Sequence, residues 1–200
     1  IVRSDALRVS VLIWLIMFVP LGRESLGVWW GCSVGNNAGP PMTTNDYKNS
    51  IRLVQKPCHV VFVTEKYHDT QIIPMDGSAH LPQEMKKWSG DSRGHWDGDT
   101  LVVETTNFTD KTPAYQLPNG NVDDPTQIGA LGSGKDMKLT ERFTRTGKSR
   151  LVYEYTVEAP STFTKPFTVA IEMRPTEDQM YEYACHEGNH AMVGMLGGAR

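Results

Sequence analysis

In the stretch "RLVYEYTVE", residues 150–158, Leu151, Tyr153, Tyr155 and Val157 alternate with Val152, Glu154, Thr156 and Glu158. A period of two puts the first set on one face of a strand and the second, mostly polar, on the other. The run "MKLTERFTR" precedes it, and "TGKS" between them predicts a hairpin turn. The same alternation recurs in "FTVAIEMRP" through Phe167, Val169, Ile171 and Met173, and in "QMYEYACHE" through Tyr181, Tyr183 and Cys185. Upstream, "IRLVQ", "HVVFVTEKY", "QIIPMDG" and "HWDGDTLVVETTNF" are rich in Val, Ile, Phe and Tyr, with turns at Asp76-Gly77 and Asp97-Gly98. About eight strands joined by tight turns predict an all-β fold, an antiparallel barrel or sandwich of lipocalin-like kind. One short helical window falls at "LPQEMKKW". Residues 109–136, rich in Pro, Gly, Asn and Asp, read as a long loop: a lid, a binding loop or disorder.

The N-terminus breaks the pattern. Arg3 and Arg8 precede "VSVLIWLIMFVPLG", a charge-then-apolar order typical of an export signal and too short for a comfortable membrane span. The expected organisation is a signal peptide or membrane-anchor helix over 1–31, a linker over 32–49 and a single β-rich domain over 50–200. That places the domain in the periplasm or outside the cell, with membrane contact only through the N-terminal segment. At 200 residues the chain is long enough for one real core. A net charge of −3 without a basic run disfavours nucleic acid as a partner. Cys32, Cys58 and Cys185 leave at least one thiol unpaired within the chain, and their spacing does not choose a pair.

Candidate chemistry sits in three places. "CHEGNH" contains His-Glu-x-x-His, the zinc-hydrolase spelling when a helix carries it. Here a strand-like run precedes it, Gly188-Asn189 favours a turn, and the tail after His190 holds no third ligand. A zinc site on His186 and His190 with an upstream His is the metal alternative. "GDSRG" spells Gly-x-Ser-x-Gly, but without the strand–turn–helix order of a nucleophile elbow; Ser92 nevertheless lies near His95, Asp91, Asp97 and Asp99. His68, in "YHDT", ends a strand and is placed to meet His186 or Glu187 across a sheet. The aromatic residues, Trp88, Trp96, Phe108, Phe143, Tyr153, Tyr155, Phe163, Phe167, Tyr181 and Tyr183 among them, are expected in the core or lining an apolar cavity.

From Tyr47 onward, "IIPMDGSAHLP", "GDSRGHWDGDTLVVETTNFTDKT", "LTERFTR", "YEYTVEAPSTFTKPFT" and "YEYACHEGNHAM" resemble a family of exported, uncharacterised bacterial β-rich proteins. In that family Tyr more often stands at the position of His190, which leaves His186 and Glu187 as the matching pair. The resemblance implies an exported β protein and directs attention to Asp91, Ser92, Arg93, His186 and Glu187; it implies no activity.

The functional expectation is a small-molecule site. One form is a hydrolase of a small ester or amide. In it Ser92 is nucleophile or hydrogen-bond donor, His186 general base or metal ligand, Glu187 acid/base or orienter, Arg93 an anion stabiliser, and His68 an auxiliary. The alternatives are a non-catalytic barrel that binds an apolar small molecule, and a zinc metallohydrolase.

Overall fold

The computed structural model describes residues 7–10, 40–44, 49–109 and 136–184. The described chain is all-β: β1 (Leu7–Ser10), β2 (Ser50–Gln55), β3 (His59–Thr64), β4 (Thr70–Pro74), β5 (Asp91–Asp97), β6 (Thr100–Thr106), β7 (Lys138–Gly147), β8 (Arg150–Glu158) and β9 (Phe167–Pro175). A single 3-10 turn, Lys66–His68, interrupts the strands. Two antiparallel sheets result, β2-β3-β4 and β5 to β9 in chain order. The short β1 joins them, pairing with β2 along its four residues and with β9 at Val9 and Ser10.

The strand periods place the core. On β8, Leu151, Tyr153, Tyr155 and Val157 are all buried and the residues between them are not. On β7, Leu139, Glu141 and Phe143 point the same way. Phe62 of β3 meets Phe143 of β7 at a ring distance of 4.8 Å, so the small sheet closes over the large one. Gly98, at φ 59°, opens the two-residue β5–β6 loop, a conformation that suits glycine. Lys148 and Ser149 close the β7–β8 hairpin beside a register shift at Arg145/Gly147.

The outermost strands, β4 and β5, come together side by side. Gln71 Nε2 of β4 donates to Ser92 Oγ of β5 at 2.8 Å. A Cβ on Gly94 would press on Met75 Sδ and lie 2.8 Å from Ile73 Cγ2. No backbone ladder joins these strands among the described residues, so they form a seam and the sheet is not closed into a barrel. The missing side chain at Gly94 is what lets Ile73 and Met75 close this seam. Gly94→Ala is therefore expected to destabilise the fold by about 1–3 kcal/mol in chemical denaturation, as overpacking does.

Several expectations need correction. Residues 81–88 form turns, not a helix. The buried Asn107 carboxamide donates to the carbonyls of Leu81, Pro82 and Met85 at 3.0, 2.8 and 3.2 Å, using acceptors a helix would need. Asn107 itself sits at φ 59°, a left-handed conformation that Asn tolerates. The run 179–184 is not a strand: β9 ends at Pro175, and Thr176 and Asp178 then bond to each other in a turn. Trp88, Trp96 and Tyr181 are exposed rather than core. Residues 7–10 are a strand; the rest of the expected signal or anchor helix, Cys32 and most of the long loop lie outside the described residues.

Candidate functional site

Glu141 occupies an inward position of β7, between Leu139 and Phe143, where the period demands an apolar side chain. It is fully buried at 0 % exposure. Its neighbour across the ladder is Tyr155, and Tyr153 lies diagonal to it. The Tyr153 hydroxyl donates to Glu141 Oε1 at 2.7 Å and accepts from the backbone N–H of Met42 at 3.0 Å. Glu141 Oε2 has no hydrogen-bond partner among the described residues. The surroundings are aromatic: Phe143 stacks on Tyr153 at 4.7 Å, and Tyr153 meets Tyr155 at 5.5 Å.

Burial pushes the Glu141 carboxyl up to about 7, against the one opposing hydrogen bond from Tyr153. Burial, and then the neighbouring carboxylate, also hold the Tyr153 phenol well above its ordinary value, so it remains a donor at neutral pH. The pair is thus an acceptor group that changes charge near neutrality inside an apolar wall. Beside the pair, on the other side of Met42, a pocket with a volume of about 20 Å³ is lined by Met42, Thr43, Asn49, Ile51, Lys66 and Met173 among others, and not by Glu141 or Tyr153 themselves. That is room for about one water. Pro41 and Met42 are buried against the core, so the segment 40–44 covers the Glu141–Tyr153 pair.

The "GDSRG" segment builds a different object. Asp91 is 2 % exposed and accepts from Leu81 N–H at 3.0 Å. Lys87 Nζ lies 2.9 Å, Arg93 Nη1 3.1 Å and His80 Nδ1 3.3 Å from its carboxylate. Burial alone would raise this carboxyl, but the Leu81 amide, Lys87 and Arg93 outweigh it and hold Asp91 at about 2. Arg93 also donates to the carbonyls of Ala79 and Ser92. The cluster ties the 76–90 loop to β5, which is a structural use of every group in it.

Ser92 points to the other face of β5 from Asp91 and Arg93 and is buried. Its hydroxyl bonds Thr105 Oγ1 at 2.9 Å and Gln71 Nε2 at 2.8 Å, neither of which is a base. His95, three residues on along a strand, faces away from Ser92 and is exposed. The backbone of His68 lies in the 3-10 turn, next to Tyr67 at the unusual φ of 61°. Tyr183 packs its ring 4.9 Å from that of Tyr67, and Tyr181 N–H donates to Glu65 Oε1 at 3.3 Å. The chain therefore approaches His68 before it leaves the described set. Cys185, His186, Glu187 and His190 lie outside that set. Among the described residues no three His, Cys, Asp or Glu side chains gather as metal ligands.

Sequence reasoning passed over Glu141, and it read His80 as a loop residue, which the structure bears out. The signal for Glu141 was a carboxylate in the apolar phase of "LTERF". The contact of His80 with Asp91 gave no signal in the sequence, because loop residues have no period.

Comparison of the chain with protein families, with curated proteins and with solved structures finds no match.

Proposed function

We propose that the protein is an exported β shell that binds a small apolar molecule, with the Glu141–Tyr153 pair as the polar anchor at the floor of its site. The observation that carries this reading is Glu141 Oε2, a fully buried acceptor left unpartnered in an aromatic wall. Binding sites combine such walls with a few convergent polar groups. Buried acceptors in native folds are nearly all satisfied, so a ligand or water is the ordinary partner for one that is not. The site opens when the 40–44 segment moves aside, because that segment supplies the hydrogen bond now capping Tyr153.

Native mass spectrometry of protein purified without detergent, followed by titration with the neutral dye Nile red, tests the reading. A retained apolar molecule or saturable one-to-one dye binding is expected. No retained molecule together with no saturable binding contradicts it. On this reading the protein hydrolyses short-chain nitrophenyl esters no faster than buffer, and Ser92→Ala leaves dye affinity within about twofold. Ester hydrolysis that Ser92→Ala or His186→Ala abolishes would replace binding with catalysis.

A further inference from the structure

We infer that the molecule held at Glu141 carries a protonated amine, whose N–H groups meet Glu141 Oε2 and whose charge lies against the rings of Phe143, Tyr153 and Tyr155. The inference rests on the binding reading above and names its ligand class.

Donors and acceptors at the site decide the chemistry. The Tyr153 hydroxyl hydrogen is committed to Glu141 Oε1, and the Tyr153 oxygen already accepts from Met42. What remains open is one carboxylate oxygen, so the complementary group is a donor. An anion would face the carboxylate at close range and be repelled. An ammonium gains a charge-assisted hydrogen bond to the carboxylate and a cation–π contact with the ring faces. Phe62 and Phe143, 4.8 Å apart, supply an apolar wall for the remainder of such a molecule. The covering segment behaves as a stand-in. A backbone N–H on an apolar body, buried Pro41 and Met42, already occupies the donor position at Tyr153. An amine ligand displaces that N–H and donates to the Tyr153 hydroxyl oxygen and to Glu141 Oε2.

The groups at Glu141 are Tyr155 opposite it and Tyr153, which bonds it, both of β8; the Met42 backbone reaches it through Tyr153, Lys66 lines the pocket on the far side of Met42, and no described cation is in contact with the carboxylate. Affinity for an amine should therefore follow the ionisation of Glu141 and rise with pH between 6 and 8. A ligand whose carbonyl accepts from a protonated Glu141 would show the opposite slope.

Calorimetric titration with benzylamine and with the neutral benzyl alcohol, at pH 6 and pH 8, on wild type and Glu141→Gln, tests this. Benzylamine is expected to bind wild type about tenfold more tightly at pH 8 than at pH 6, and to lose about tenfold or more in Glu141→Gln at pH 8, the loss of one charge-assisted bond. Benzyl alcohol should change little in either comparison. Benzylamine affinity that is flat or falling with pH overturns the inference even if Glu141→Gln fails to fold, and so does equal affinity in the two proteins. Nile red or benzyl alcohol binding without benzylamine binding overturns the amine while keeping the apolar site. No binding of any probe overturns both.

Discussion

Replacing Glu141 by Gln is expected to raise unfolding free energy by about 3 kcal/mol at pH 8.5 and to leave it nearly unchanged at pH 4. The unfolded chain titrates this carboxyl near 4.5 and the folded chain near about 7. Between those values the native state holds more protons than the unfolded one, so stability falls as pH rises. Below 4.5 both states are neutral and burial carries no charge penalty. Above 7 both are ionised, and the native state bears the full cost, about 1.4 kcal/mol for each unit of displacement. Gln preserves the acceptor for Tyr153 and the side-chain volume, so what it removes is the charge. Urea denaturation of both proteins across this pH range gives the comparison. Equal stability at pH 8.5 would mean that water or a counter-charge reaches Glu141. A variant that is acid-stable but unfolded at high pH would reverse the sign and refute the account.

Asp91→Ala should cost about 3 kcal/mol at neutral pH, the scale of breaking a buried ion pair from one side. It leaves the Leu81 amide and Arg93 without their carboxylate, while the half-exposed Lys87 turns to water. Wild-type stability should also have an acid limb of matching origin. Asp91 is held at about 2 against an ordinary 3.8, so its contribution is present above pH 4 and is lost as pH falls through about 2. Acid denaturation followed by circular dichroism should show this limb in wild type and not in Asp91→Ala. The two carboxylates thus act in opposite directions: Asp91 stabilises the fold as an ion, and Glu141 destabilises it as one.

The strands were legible because their signal is local. Leu151, Tyr153, Tyr155 and Val157 announce their face by spacing alone, and Asp97-Gly98 and Gly147-Lys148 mark the turns. The helix at 81–88 was misread because its competitor is distant in sequence: Asn107, more than twenty residues on, takes the carbonyls. "QMYEYACHE" alternates like a strand, yet through residue 184 it has no ladder, because alternation reports a preference and pairing needs a partner edge. Ser92 looked reactive because Asp91, His95, Asp97 and Asp99 crowd it in sequence, but strand geometry sends neighbours to opposite faces. Gathering at the Asp91 carboxylate depends instead on a loop that brings His80 and Leu81 back to β5. Glu141 stands in the sequence as a break in an apolar phase, a sign that becomes meaningful once Tyr153 and Tyr155 are placed beside it.

The protonation of Glu141 itself is the most direct test. Carbon-13 NMR of side-chain-carboxyl-labelled glutamate, with Glu141→Gln used to assign the resonance, reads its titration in the folded protein. A midpoint close to 7 is predicted, with a shift toward lower pH on adding benzylamine. A midpoint near 4.5 that no amine moves would show a solvated carboxylate and contradict the site.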